Sequence, residues 1–126
     1  MGQASRARAA FKSLTMAGLD PAIQDHHASR VPSGFVYILA SSRNGTLYIG
    51  VTSDLLNRME QHRRGEGSLF VKRYGVTHLV WFAEYPLYAD AIRRETAMKR
   101  WKRQWKLALI EKHNPQWTDL LETWNQ

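Results

Sequence analysis

The chain has no cysteine, an absence that excludes a disulfide framework, a zinc ribbon, an iron–sulfur site and a thiol nucleophile. It fits a reducing compartment, and a cytoplasmic protein is expected. Long apolar runs are missing too. None approaches the roughly 18 residues that span a bilayer, and no apolar stretch with a cleavage site follows the N-terminus. A soluble chain with no membrane role is the reading. Acids are scarce, 11 against 18 Lys and Arg. The resulting formal charge of +7 favours a polyanionic partner, with nucleic acid ahead of an anionic membrane surface. Hydrophobic residues are present in ordinary measure, 44% of 126 residues, which suits one domain with a packed core and is too short for two.

Residues 1–32 differ from the rest. Met1 to Leu19 holds no acid and is rich in Ala, Ser and Arg, and the segment then runs through Asp20-Pro21 and His26-His27 to Val31-Pro32. A weakly ordered, nonessential extension is expected. A transit peptide, a basic arm and upstream translation before an internal start at Met16 are the other readings. His26 and His27 are adjacent and cannot share a face of a helix or strand, so they do not read as a metal site. The folded domain is expected over 33–126.

Phe35 to Ala40 and Thr46 to Val51 are β-prone and flank the turn cluster Ser41-Ser42-Arg43-Asn44-Gly45, which predicts a hairpin. Thr52-Ser53-Asp54 offers caps for a helix from Leu55 to about Arg64, ended by Gly65 and Gly67. Lys72-Arg73-Tyr74-Gly75 reads as loop. Thr77 to Tyr85 reads as a third strand stopped by Pro86. Tyr88 to about Arg103 and Trp105 to about His113 are helical in composition, and Asn114-Pro115 ends the second.

Period two puts Val36 and Ile38 on one face of the first strand, and Leu47, Ile49 and Val51 on one face of the second. Tyr37 and Tyr48 fall on the opposite faces of their own strands, and a hairpin closed near Asn44-Gly45 brings both phenols to one side. A plain cross-strand aromatic pair accounts for them as well. Arg58 and His62, spaced i and i+4, share a side of the next helix, while Leu55, Leu56 and Met59 supply its buried stripe. A solvated basic face is the plainer account of that pair. Glu95 sits amid Tyr88, Ala91, Ile92 and Met98 on the core side of its helix. A buried carboxylate must be paired or must bind a metal. An internal salt bridge, with Arg58 as one candidate, and a magnesium or manganese site completed by water and phosphate oxygens are the two readings. Lys72 and Arg73, then Lys99, Arg100, Lys102 and Arg103 with Trp101 and Trp105 among them, are candidates for nucleic-acid contact. A solvated face for the cations and a core place for the tryptophans are the alternatives.

Taken in order, Phe35-Val36-Tyr37, Tyr48-Ile49-Gly50, Arg58, His62 and Glu95 resemble the GIY-YIG nuclease domain family, in the small single-domain bacterial group similar to the N-terminal domain of the excision-repair nuclease C subunit. The resemblance covers roughly Gly34 to Leu120. Asn114 matches a C-terminal asparagine often seen there and is a possible supporting residue. Lys72 to Gly75 and Trp105 to Ile110 resemble segments of the subgroup. One departure is Phe35, which stands where the first motif has glycine, with Gly34 one place earlier. The resemblance implies an α+β fold with a three-stranded antiparallel sheet flanked by helices. It also implies a DNA endonuclease that works by in-line attack of an activated water, with one divalent metal, Mg2+ or Mn2+, and a place in DNA repair. Its implied roles are Tyr48 as general base, Tyr37 as its support, Arg58 on the scissile phosphate, His62 in hydrogen bonding or proton transfer, and Glu95 on the metal. A free tyrosine titrates near pH 10, so the implied base role asks for surroundings that lower that value. The main rival is a non-catalytic nucleic-acid-binding module on the same scaffold. A structural or partner-binding protein, with its charge serving solubility, ranks third. DNA is the expected partner, an auxiliary protein a further one, and the target structure and oligomeric state stay open.

Overall fold

The computed structural model describes residues 32–124; the expected N-terminal extension lies almost wholly outside that span. The first strand, β1 (Gly34–Ala40), is buried along its whole length, the pattern of a strand covered on both faces. It pairs antiparallel with β2 (Leu47–Thr52) on one side and β3 (His78–Tyr85) on the other, giving the order β2-β1-β3. Between β1 and β3 the register slips at Ile38/Leu39, where Val80 is left without a partner opposite, a β-bulge. The predicted hairpin is thus present, and its turn holds Asn44 at φ 59. The start of a later helix pins this turn: the Arg103 guanidinium donates to the carbonyls of Asn44 and Gly45, both at 2.7 Å.

Alternation along β1 splits its side chains between two cores. Val36, Ile38 and Ala40 face Ile49, Ala91, Met98 and Ile110, contributed by β2 and by helices α3 (Tyr88–Lys99) and α4 (Arg103–His113). Phe35, Tyr37 and Leu39 face Leu55, Met59, Val71 and Leu121, contributed by α1 (Leu55–Arg63), α2 (Leu69–Tyr74) and α5 (Leu120–Trp124). Gly34 is where α3 crosses closest: a Cβ there would lie 2.7 Å from Ala91 Cβ and 2.8 Å from Tyr88 Cδ1. The departure in the first motif therefore has a packing reason. The glycine needed at this strand end meets α3, and Phe35 turns into the opposite core, 6% exposed.

Local signals explain the helix ends. Asp54 caps α1 by accepting from Asn57 N. Lys72 to Tyr74 form part of a helix, not the expected loop: Ser68 Oγ accepts from Val71 N, and Gly75 closes α2 in the left-handed region at φ 63. The helix after Pro86 ends at Lys99, short of Arg103. Leu56 and Ile92, expected inside, are 43% and 42% exposed. In α1 the inward position goes to His62 instead.

Two buried polar side chains tie the C-terminal segment to β3. Asn114 Nδ2 donates to the Val80 and Thr118 carbonyls at 3.0 and 2.9 Å, and its Oδ1 accepts from Thr118 N. Asp119 accepts from the backbone of Leu79 and Leu121 and pairs with Arg63. Both Nδ2 hydrogens of Asn114 and its Oδ1 are thus engaged by backbone groups.

Candidate active site

The face of the sheet that carries Tyr37 also carries Tyr48, as the alternation predicts. Tyr37 stands opposite Gly50, and Tyr48 opposite Leu39. This stagger sets the two rings with centroids 6.3 Å apart. From α1, His62 reaches the same spot, its ring 5.9 Å from Tyr37 and 5.6 Å from Tyr48. Tyr37 Oη and His62 Nε2 are hydrogen-bonded at 3.0 Å. Gly50 makes room for this arrangement, because the Tyr37 phenol lies over the place where a Cβ would stand.

Burial and charge shape the titration of these groups. The Tyr37 phenol is held well above the ordinary tyrosine range, first by burial and then by its Tyr48 neighbour; the positive charge of Arg58 opposes this and the negative charge of Glu95 adds to it. At neutral pH it stays a protonated phenol. His62 is held below its ordinary value, chiefly by burial and secondly by Arg58, so its imidazole stays neutral. Its Nδ1 is buried with no hydrogen-bond partner among the described residues. The roles in the Tyr37–His62 bond follow the imidazole tautomer, and either tautomer leaves Nδ1 unpaired.

This arrangement makes stability depend on pH in a definite direction. The unfolded chain protonates His62 near pH 6.5, while the folded chain resists. The contribution of His62 is therefore complete above that value and is lost as pH falls through it toward the lower folded value. Thermal unfolding is expected to show a larger drop between about pH 7.5 and about pH 5.5 for the wild type than for His62→Gln, whose side chain does not titrate. Equal drops would remove His62 as the source.

Arg58 and Glu95 complete the set. Arg58 is partly buried, with its guanidinium beside Gly67, and its charge acts on both Tyr37 and His62. Glu95 is 13% exposed, and its carboxylate pairs with Lys99 Nζ at 3.0 Å, one helical turn on. The salt-bridge reading of Glu95 thus finds a partner in Lys99, with no Arg58 pair. No cluster of three or more His, Asp or Glu side chains that could hold a metal occurs among the described residues. The donor chemistry at Glu95, one hard and largely buried carboxylate, suits a cation that keeps most of its waters and takes one or two protein oxygens.

The other sequence candidates fall in two places. Lys72 and Arg73 project from α2 and are exposed. Lys99, Arg100, Lys102 and Arg103 lie around the α3–α4 elbow, where Lys99 is partnered by Glu95 and Arg103 by the hairpin turn. Trp101 packs against the second core beneath the Arg94 guanidinium, 4.9 Å from its ring centroid. Trp105 departs from the core place open to it and is 51% exposed. Phe70 was not among the candidates, yet its ring lies 6.0 Å from Tyr48. The i, i+4 spacing of Phe70 and Tyr74 after the capping Ser68 was the available signal.

A family model described as the GIY-YIG catalytic domain matches residues 33–108. UPF0213 proteins of Staphylococcus aureus strains Mu3 and Mu50 are each 40% identical to the chain over 79 residues, covering 63% of it and 95% of their own length. The solution NMR structure of a UPF0213 protein from Bacillus halodurans is 28% identical, covers 69% of this chain and 92% of its own, and superposes with a TM-score of 0.45.

Proposed function

The chain belongs to the GIY-YIG catalytic domain family, a nuclease family, and from that membership we propose that it hydrolyses phosphodiester bonds of DNA at the Tyr37–Tyr48–His62 cluster. The observation that carries this is the cluster itself: two phenols and a neutral imidazole in mutual contact, under the field of one arginine and one carboxylate.

Burial divides the work between the tyrosines. Tyr37 is 1% exposed, held as a protonated phenol and bonded to His62, so its part is to fix the imidazole and the sheet beneath the phosphate. Tyr48 is only half-buried, which leaves this side chain within reach of an incoming strand. Its part is to take the proton of the attacking water while its own phenolic proton passes through the Tyr37 hydroxyl to the neutral His62 imidazole, as the water's oxygen bonds to phosphorus in line with the departing 3′ oxygen. Arg58 supplies a fixed cation for the charge that grows on the phosphoryl oxygens. His62, neutral, receives or passes a proton at the nitrogen that faces Tyr37. Glu95 is the residue that would hold a magnesium or manganese ion, leaving Lys99 as it does so. When bound, such an ion polarises a phosphoryl oxygen and offsets the charge of the leaving oxygen.

The Glu95–Lys99 pair also favours a second reading, a scaffold that binds nucleic acid without turning it over. The test is cleavage of supercoiled, branched and single-stranded DNA with magnesium, manganese or chelator, for wild type beside Glu95→Ala. The expected result is metal-dependent cutting that drops about 100-fold or more in the variant. Cutting that persists in chelator, or that is unchanged in Glu95→Ala, overturns the role given to Glu95. Salt-sensitive binding with no cutting under any condition selects the binding module.

A further inference from the structure

The surface beside Tyr48 carries aromatic and aliphatic area that the hydrolytic reading leaves unused. Helix α2 buries only Val71, while Leu69, Phe70 and Tyr74 are 86%, 41% and 49% exposed. Phe70 and Tyr74 share one face of the helix, their centroids 4.7 Å apart. Phe70 lies 6.0 Å from Tyr48, itself 5.6 Å from His62. A row of rings therefore leads from the buried imidazole to the surface. Cations accompany it: Lys72 and Arg73 are exposed on the same helix, and the Arg73 guanidinium stands 5.7 Å from the Tyr74 ring centroid.

Exposed large apolar groups gathered beside a catalytic centre mark a ligand surface. Charge selects the ligand. A second copy of this chain would bring its own lysine and arginine and a net charge of +7 against the same cations, and a stable dimer needs roughly 1,200 Å² in all, more than one short helix face offers. A nucleic-acid strand has the complementary chemistry, phosphates for Lys72 and Arg73 and flat π-faces for the rings.

We propose that Phe70 and Tyr74 form a stacking ledge for a nucleobase next to the phosphate held at Tyr48, so that the strand cut here carries an unpaired base at the cut. This rests on the phosphodiester reading of the Tyr48 site. Within a duplex both faces of each base are covered by its neighbours, and a protein ring reaches a base only after that base has left the stack. The ledge thus selects single strands, flaps or frayed ends over continuous duplex.

The experiment measures binding of the full chain in chelator, by fluorescence anisotropy, to three probes: a thymine strand of about 12 nucleotides, an abasic strand of the same length and charge, and a blunt duplex. The wild type is expected to bind the thymine strand about ten-fold tighter than the abasic one. Phe70→Ala is expected to bring that ratio close to one while leaving abasic affinity unchanged, and Phe70→Trp to keep it. Equal wild-type affinity for thymine and abasic strands overturns the ledge, and this comparison needs no variant. So does a Phe70→Ala loss that falls equally on both strands, the mark of a merely structural side chain. So too does a wild-type dimer in sedimentation that Phe70→Ala dissociates. Because cleavage plays no part, a base preference in a protein that never cuts leaves the ledge standing and the hydrolytic reading fallen. Cutting without base preference does the reverse.

Discussion

Gly50→Ala is expected to cost about 2–4 kcal/mol of stability and to disable the site with it. A Cβ at this position would lie 2.3 Å from Tyr37 Oη and 2.4 Å from Tyr37 Cζ, far inside van der Waals contact. The two residues are direct cross-strand partners, so relief would require either β1 or β2 to shift or the ring to swing away. The ring has nowhere to go. Tyr37 is 1% exposed among Phe35, Leu39, Leu55 and Met59, and its hydroxyl is tied to His62 at 3.0 Å. Overpacking of a filled core and loss of that bond add together, and a domain of this size should lose roughly 10–20 °C in Tm. Gly75→Ala gives the contrast. Nothing lies within 4 Å of a Cβ there, but φ is +63, so its penalty is backbone strain of about 1 kcal/mol with the site untouched. Thermal and urea unfolding of both variants checks this; a Gly50→Ala protein as stable as wild type would show that the Tyr37 ring is not seated as described.

The same pair shows what sequence makes legible. Alternation alone puts Tyr37 and Tyr48 on faces opposite to Val36 and Ile49, and a hairpin then unites them, as observed. The stagger that seats Tyr37 over Gly50 was not legible, because it depends on a turn with Asn44 in the left-handed region and on Arg103 reaching back to hold it. Helix α2 was missed since six residues with one buried position give no periodicity to read, and Gly65, Gly67 and Gly75 around it resemble a loop. In α1 the hydrophobic pattern favoured Leu56 for the inner face. The bond to Tyr37 draws His62 there instead, at the cost of a buried nitrogen without a partner. Glu95 stood out as a carboxylate on a core-facing stripe, and its partner followed the commonest local rule, i to i+4, with Lys99. Asn114 and Asp119 bond to β3 across more than thirty residues, a relation that no local pattern announces.

Tyr48→Phe and Tyr37→Phe are expected to fail in different ways, and the difference tests the division of labour between the two phenols. Tyr48→Phe keeps the ring that packs 6.3 Å from Tyr37, 5.6 Å from His62 and 6.0 Å from Phe70, so fold and strand binding should stay near wild type. It removes the oxygen that takes the proton from water, and turnover should fall by about 10²–10⁴-fold, the usual weight of a positioned base. Tyr37→Phe removes the hydrogen-bond partner of His62 Nε2 while Nδ1 is already unpaired. That leaves a buried imidazole with neither nitrogen bonded, a cost of about 1–3 kcal/mol, and its activity loss should come with a lower Tm. Single-turnover cleavage, thermal unfolding and strand binding of the two variants separate these outcomes. A Tyr48→Phe protein that cuts like wild type would hand the base role to another group, and His62, neutral and in contact with both phenols, is the residue the geometry leaves for it.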